Sequence, residues 1–126
     1  VAVEPQPDFV RLLQGLFERD PGVALLPVAL GREPGRVQLL ASERTPTVST
    51  LSPDWARRVG ATAAFRGVQW AAGPTVELTT LDALVAAQGR PDFVKIDVEG
   101  YELEVLLGLT QPLPALSFEY LAPVRD

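Results

Sequence analysis

Three ionisable residues stand at alternate positions where an apolar stretch ends: Lys95, Asp97 and Glu99. Residues two apart in a strand lie on one face, so these side chains share a side while the aliphatic residues between them lie on the other. A carboxylate at a strand end can accept hydrogen bonds from a ligand or take up a proton. An acid in this position can equally cap a helix or face solvent in a turn. The pattern alone leaves both roles open.

A turn and a helix follow this strand. Gly100 ends the strand, and from Tyr101 onward Leu103, Leu106 and Leu107 recur at helical spacing. Acidic residues stand in the first turn of this helix, where the helix dipole favours negative charge. The ionisable groups therefore lie at the carboxyl end of a strand, which is the edge where open α/β sheets bind ligands.

A second acid closes an apolar stretch at the start of the sequence. Residues 1–4 predict the end of a buried strand that finishes on Glu4, and a helix is predicted from Pro7 until residues 20–22 stop it. An acid after the second strand of a nucleotide-binding half can accept hydrogen bonds from ribose hydroxyls. Taken by itself, Glu4 is better explained as a turn carboxylate.

The rest of the sequence alternates strands and helices, which predicts an α/β domain with a largely parallel sheet. Pro27, inside the apolar run 23–30, indicates an edge strand or a local irregularity. A helix is predicted to begin at Thr79, with Asp82 three residues later, and to end at Gly89. Short strands are predicted at residues 37–40, 75–78 and 115–120.

Residues 42–74 lose this periodicity and gather Ser, Thr, Pro and Gly around Trp55, Phe65 and Trp70. A stretch of this length without regular structure is usually a functional loop or disordered. Both a substrate lid and a floppy insert whose aromatic residues pack locally fit the pattern.

Composition excludes several classes of function. At 126 residues, 47% of them hydrophobic, the sequence can form one domain or part of one, and no apolar run is long enough to cross a membrane. The net charge of −5 argues against nucleic acid as the main partner. Cys and His are absent, so a proton acceptor must be a carboxylate, Lys95, a tyrosine or water. We predict no metal site, because no cluster has metal-ligand spacing.

The stretch FVKIDVEGYELEVLLGL, residues 93–109, closely resembles the signature of FkbM-type methyltransferases. VAVEPQPDFVRLL and VELTTLDALV are similar to two further segments of that family, in the same order. The resemblance covers most of the sequence outside residues 42–74, where family members carry variable substrate-side inserts. It implies a Rossmann-like class I methyltransferase fold and S-adenosylmethionine as the cofactor.

The resemblance also implies roles for single residues. Glu4 would bind the cofactor's ribose, and Ala29 and Leu30 would lie near its adenine. Asp97 would bind the methionine end or the acceptor hydroxyl, in the latter case as a base. Glu99 would orient the acceptor or hold the turn by accepting N–H groups of the helix. Position alone favours structural roles for two more residues. Lys95, further inside the strand, would pair with a neighbouring carboxylate rather than act in catalysis, and Glu119, at the end of the last strand, could also line the pocket.

The implied reaction is methyl transfer to a hydroxyl oxygen of a sugar or secondary metabolite, so the expected partner is a small-molecule or glycan acceptor. We expect this reaction in the cytoplasm. A nicotinamide-dependent oxidoreductase also places an acid after its second strand, but it gives no reason for KIDVEG before a helix. A methyltransferase-like module without cofactor is the third alternative.

The sequence begins with Val inside a predicted strand and contains no Met. We therefore expect a partial methyltransferase domain over residues 1–126, truncated at the amino end, without the first strand and its Gly-rich loop, and truncated at the carboxyl end as well. In this fold the first strand lies between the strands that end at Glu4 and Asp97. Without it, residues 1–5 would pair directly with residues 93–98 or remain unpaired, and the 126-residue chain alone would be marginally folded and bind cofactor weakly.

Overall fold

The computed structural model describes residues 1–120. Strands and helices alternate along most of the chain, which confirms the α/β class. The strands are β1 (Ala2–Val3), β2 (Leu25–Leu26), β3 (Ala29–Leu30), β4 (Gly35–Ala41), β5 (Ala71–Thr79), β6 (Val94–Ile96) and β7 (Leu116–Phe118). The α-helices are α1 (Pro7–Phe17), α2 (Pro53–Gly60), α3 (Leu81–Gln88) and α4 (Glu102–Leu107).

The strands form three separate sheets rather than one. Parallel pairs join β1 to β2 and β6 to β7. The third sheet has the order β3-β5-β4, in which β3 is parallel and β4 antiparallel to β5. Within residues 1–120, β1 and β6 do not pair, so of the two expectations for these segments the unpaired one is observed.

Pro27 divides the predicted strand 23–30 into two short strands that belong to different sheets. Leu26 pairs with Val3 before the proline, and Ala29 pairs with Leu78 after it. Proline has no N–H to donate to a ladder, so the chain changes partner at this residue. The predicted irregularity is confirmed.

The core lies where α3, β6 and α4 meet, at Leu81, Ile96 and Val105. The predicted alternation on the β6 strand is confirmed, because Ile96 is buried while Lys95 and Asp97 are exposed. This packing fixes the position of β6, and with it the turn that carries the predicted acids.

Of the three leucines at helical spacing in α4, Leu106 packs against the core, but the fully buried residue of the helix is Val105. Val105 is 0% exposed, whereas Leu103 is 66% exposed and Leu107 is also exposed. Apolar side chains occupy most positions of this short helix, so spacing alone could not show which of them faces Leu81 and Ile96. The contacts of the core select Val105.

The predicted start of α3 is one residue too early. Thr79 is the last residue of β5, and the N-cap is Thr80, whose hydroxyl accepts a hydrogen bond from the Ala83 N–H at 3.1 Å. The predicted end at Gly89 is confirmed, because this residue is the C-cap.

Residues 42–74 contain more regular structure than predicted. Helix α2 and the first residues of β5 lie within this segment, together with 3-10 helices at Pro46–Val48 and Ala63–Phe65. Trp55 on α2 is buried, and its ring meets those of Phe65 and Trp70 edge to face, at centroid distances of 5.5 and 6.0 Å. Aromatic packing in the folded chain stabilises the segment. Among the described residues, no helix combines the length and the apolar character needed to span a bilayer.

Candidate functional site

One groove of about 880 Å³ is lined by all five residues that the sequence assigns to catalysis or cofactor binding: Glu4, Ala29, Leu30, Asp97 and Glu99. Its walls include residues of β1, β3 and β6, which belong to three different sheets. The volume falls within the range of roughly 300–1,000 Å³ that is typical of ligand pockets. The groove thus brings the predicted residues together, although they are far apart in sequence.

Glu4 follows β1 and is half-buried in the wall of this groove. Its Oε1 accepts a hydrogen bond from the Gln6 N–H at 2.7 Å. Burial raises the pKa of the Glu4 carboxyl, and hydrogen bonds from the Gln6 backbone and side chain oppose this shift. The Glu4 carboxylate therefore serves the local turn, as expected of a turn carboxylate.

Three carboxylates meet at the end of β6: those of Asp97, Glu99 and Glu119 have oxygens within 4.8 Å of one another. Burial, followed by repulsion from Glu119, Asp97 and Glu102, raises the pKa of Glu99 to about 7. A carboxyl with a pKa in this range can exchange a proton at neutral pH.

Sequence reasoning favoured a structural role for Glu119, although its place at the carboxyl end of a strand also allowed it to line the pocket. The pairing of β6 with β7, in which Ile96 lies opposite Phe118, brings Glu119 beside Asp97 and Glu99. Because that register cannot be derived from residue spacing, neither could the cluster. Carboxylate oxygens are ligands that Mg²⁺ and Ca²⁺ accept, but only the closeness of these oxygens points to an ion. The absence of a metal site stays a prediction.

Lys95 forms an ion pair with the Asp97 carboxylate. Both side chains are substantially exposed, and an exposed pair of this kind contributes only about 0–1 kcal/mol to stability. The predicted pairing of Lys95 with a neighbouring carboxylate is present in the structure. The pair also limits the directions in which the Asp97 side chain can point.

The turn that follows β6 has an unusual backbone. Glu99 has a φ of 50° and Gly100 a φ of 87°, both in the left-handed region that disfavours side chains. The Glu102 carboxylate accepts hydrogen bonds from the Val98 and Gly100 N–H groups at 3.3 and 3.2 Å. Sequence reasoning offered this turn-holding role to Glu99, and the structure gives it to Glu102. The signal was an acid in the first turn of the helix, two residues after the glycine.

Thr50 contacts the same turn from the other side. Its hydroxyl donates a hydrogen bond to the Glu99 carbonyl oxygen at 2.6 Å, and the Thr50 side chain is fully buried. Sequence reasoning did not single out Thr50, because the contact joins segments 49 residues apart.

An α/β domain with acids at its strand ends around a ligand-sized groove has the features of a cofactor-dependent enzyme. The family model described as Methyltransferase FkbM domain matches residues 1–120. The chain therefore belongs to the FkbM methyltransferase domain family, which confirms the resemblance drawn from the sequence. Comparison with curated proteins gave no match, and comparison with solved structures gave none either.

Proposed function

We propose that this protein transfers a methyl group from S-adenosylmethionine to a hydroxyl oxygen. Family membership supports methyl transfer in general. The observation that carries the finer proposal is that Glu4, Ala29, Leu30 and Asp97 line a single groove. A nucleoside joined to an amino acid needs hydroxyl acceptors, an apolar surface and a polar group in one continuous cleft, and these residues supply them.

The residues fit this cofactor by chemical type. Glu4 lines the groove with a carboxylate, and a carboxylate can accept hydrogen bonds from two adjacent hydroxyls. Ala29 and Leu30 are buried or nearly so and present apolar surface. In this proposal Glu4 binds the ribose, Ala29 and Leu30 contact the adenine, and Asp97 binds the methionine end or the acceptor.

The cofactor, when bound, supplies a methyl group already activated by a sulfonium. The protein therefore has to align the acceptor and remove the proton of its hydroxyl. Alignment of reactants can contribute roughly 7–11 kcal/mol to lowering a barrier. Because the sequence has neither His nor Cys and Lys95 is paired with Asp97, we propose that a carboxylate takes the proton. Asp97, held by Lys95, and Glu99, whose pKa of about 7 suits proton exchange at neutral pH, are the residues in position.

The charge of the groove narrows the class of acceptor. Asp97 and Glu99 line the groove and the Glu119 carboxylate lies beside them, so an anionic acceptor would be repelled there. A neutral hydroxylated acceptor, such as a sugar unit of a glycan or a small metabolite, fits this environment. The cytoplasmic location stays a prediction.

The test is transfer of an isotope-labelled methyl group from S-adenosylmethionine to a panel of hydroxylated acceptors by the full-length protein. We expect label on oxygen in at least one neutral acceptor and none in carboxylated analogues. Parallel titration with nicotinamide dinucleotides examines the oxidoreductase alternative. Binding of a nicotinamide cofactor in place of S-adenosylmethionine, or label found only on nitrogen or carbon, would contradict the proposal.

A further inference from the structure

The turn at the end of β6 is contacted by a part of the chain to which the proposed reaction assigns no role. Thr50 and Trp55 lie in the segment 42–70, and both touch residues 99–100. Each is nearly completely buried, with exposed fractions of 1% and 4%. The turn is thus in contact with the interior of this segment.

The Thr50 contact is a hydrogen bond to a strained residue. The Thr50 hydroxyl donates to the carbonyl oxygen of Glu99 at 2.6 Å, and Glu99 has the only positive φ of a non-glycine residue among residues 1–120. A non-glycine residue keeps such a conformation only when its surroundings hold it there. The Thr50 hydroxyl, together with the Glu102 carboxylate, provides that restraint.

The position of Thr50 is itself fixed. Its backbone N–H and carbonyl both pair with Leu40 on β4, at 2.9 Å each. Its hydroxyl oxygen also accepts a hydrogen bond from the Ser52 N–H at 2.9 Å. Because the hydroxyl donates one hydrogen bond and accepts another, it cannot rotate away from Glu99 without losing one of them.

Trp55 restricts the turn because its ring fills the space beside Gly100. A Cβ added to Gly100 would lie 2.0 Å from Cγ and Cδ1 of the indole, so the Trp55 ring fills the space above that residue. The ring is supported by Phe65 and Trp70, and the Trp70 indole N–H donates to the Val48 carbonyl at 2.8 Å. The aromatic cluster therefore presents a rigid surface to the turn.

We propose that Thr50 and Trp55 are positioning residues that fix the Glu99–Gly100 turn and thereby direct the Glu99 carboxylate into the groove. The segment 42–70 then acts as a fixed support for the site rather than as a lid. Its effect on catalysis rests on the proposed function, whereas its effect on the turn does not.

The test compares three variants of the full-length protein. Thr50→Val keeps the shape and removes the hydroxyl, and Thr50→Ser restores the hydroxyl. Thr62→Val is the matched control, because the Thr62 hydroxyl donates to a backbone carbonyl of the same segment, that of Val59, at 2.7 Å and does not touch the turn. Amide hydrogen exchange at Val98 and Gly100 reports on the turn without requiring any cofactor.

We expect exchange at Val98 and Gly100 to become about tenfold faster in Thr50→Val, as loss of the hydrogen bonds that the hydroxyl makes with Glu99 and Ser52 allows. Thr50→Ser and Thr62→Val should stay near wild type. In the methyl-transfer assay, kcat/KM for the acceptor should fall by about tenfold or more in Thr50→Val, while the Kd for S-adenosylmethionine changes less than about twofold, because Glu4 and Leu30 lie elsewhere in the groove.

Unchanged exchange in Thr50→Val, or equal losses in Thr50→Val and Thr62→Val, would overturn the proposal. If Thr50→Val does not fold, Trp55→Phe is tested instead. This variant retains an aromatic ring but reduces the contact with Gly100. Slow, wild-type exchange at Gly100 in that variant would also overturn it. Wild-type protein without methyl transfer would contradict the proposed function and leave the exchange result to decide the role of Thr50.

Discussion

Glu99 is the residue whose ionisation is most strongly affected by folding. Its pKa rises from 4.5 to about 7, mainly through burial and then through Glu119 and Asp97. Between these two pH values the folded protein binds more protons than the unfolded chain, so the contribution of Glu99 to stability is full below pH 4.5 and is lost as pH rises through 7.

We expect Glu99→Gln to abolish this dependence, because an amide does not titrate. Denaturant unfolding at a series of pH values, for wild type and variant, measures the difference in free energy of unfolding. Relative to the variant, wild type should lose stability on going from pH 4.5 to 7. Parallel curves for the two proteins would show that Glu99 is not perturbed by its surroundings.

Asp97 is the carboxylate for which the proposed reaction allows two roles. If Asp97 is the base, Asp97→Asn should lower turnover by about two orders of magnitude. If Asp97 only holds the cofactor, binding should weaken and turnover at saturation should survive. Steady-state kinetics with separate titration of S-adenosylmethionine distinguishes the two.

Lys95→Gln is the control for Asp97, because it breaks the ion pair and leaves the carboxylate in place. An effect of Lys95→Gln as large as that of Asp97→Asn would mean that the pair, not the carboxylate, is what matters. Full activity and normal binding in Asp97→Asn would exclude both roles.

At the scale of elements, the turn between β6 and α4 requires glycine for two reasons. Gly100 has a φ of 87°, and an added Cβ would overlap the Trp55 ring. Gly67 has a φ of 89° with nothing within 4 Å of the added atom. Alanine substitutions at Gly67 and Gly100 therefore separate the cost of the backbone conformation from the cost of the contact with Trp55.

We expect Gly67→Ala to lower the free energy of unfolding by about 1–2 kcal/mol, the cost of the left-handed conformation. Gly100→Ala should cost a further 1–3 kcal/mol or so, because it also overpacks a buried site. Urea denaturation of both variants measures the difference. Equal losses would mean that Trp55 moves away without cost and does not fix the turn.

The elements that could be predicted are those whose signals are local. Alternation along residues 94–98 revealed the buried side of β6, Gly89 ended α3, and Pro27 marked a break, since each of these depends on neighbouring residues. The face of α4 and the regular structure within residues 42–74 depend on distant contacts. Val105 packs on Leu81 and Ile96, and no spacing within α4 reveals that.

The same distinction holds for the site. Strand ends identified Glu4 and Asp97, because a side chain at the end of a strand is placed by the strand itself. Thr50 and Glu119 reach the site through contacts with β6 and its turn, made by chain segments far away in sequence. Residues of this second kind can be found only once the pairing of the strands is known.

At the scale of the whole molecule, the groove is lined by residues of β1 and β6, which belong to different sheets and do not pair with each other within residues 1–120. Glu4 and Asp97 both line it. A ligand that spans the groove would contact both strand ends. The proposed function therefore requires one ligand molecule to contact both Glu4 and Asp97.

The most direct test is calorimetric titration of S-adenosylmethionine into the full-length protein and into Glu4→Gln. Because hydrogen bonds to a charged group contribute about 1.5–3 kcal/mol, we predict one binding site whose affinity falls about tenfold or more in the variant. Glu77→Gln should leave the affinity unchanged, since Glu77 is exposed and paired with Arg36 on β4. No binding by the wild-type protein, or equal affinities for wild type and Glu4→Gln, would contradict the account.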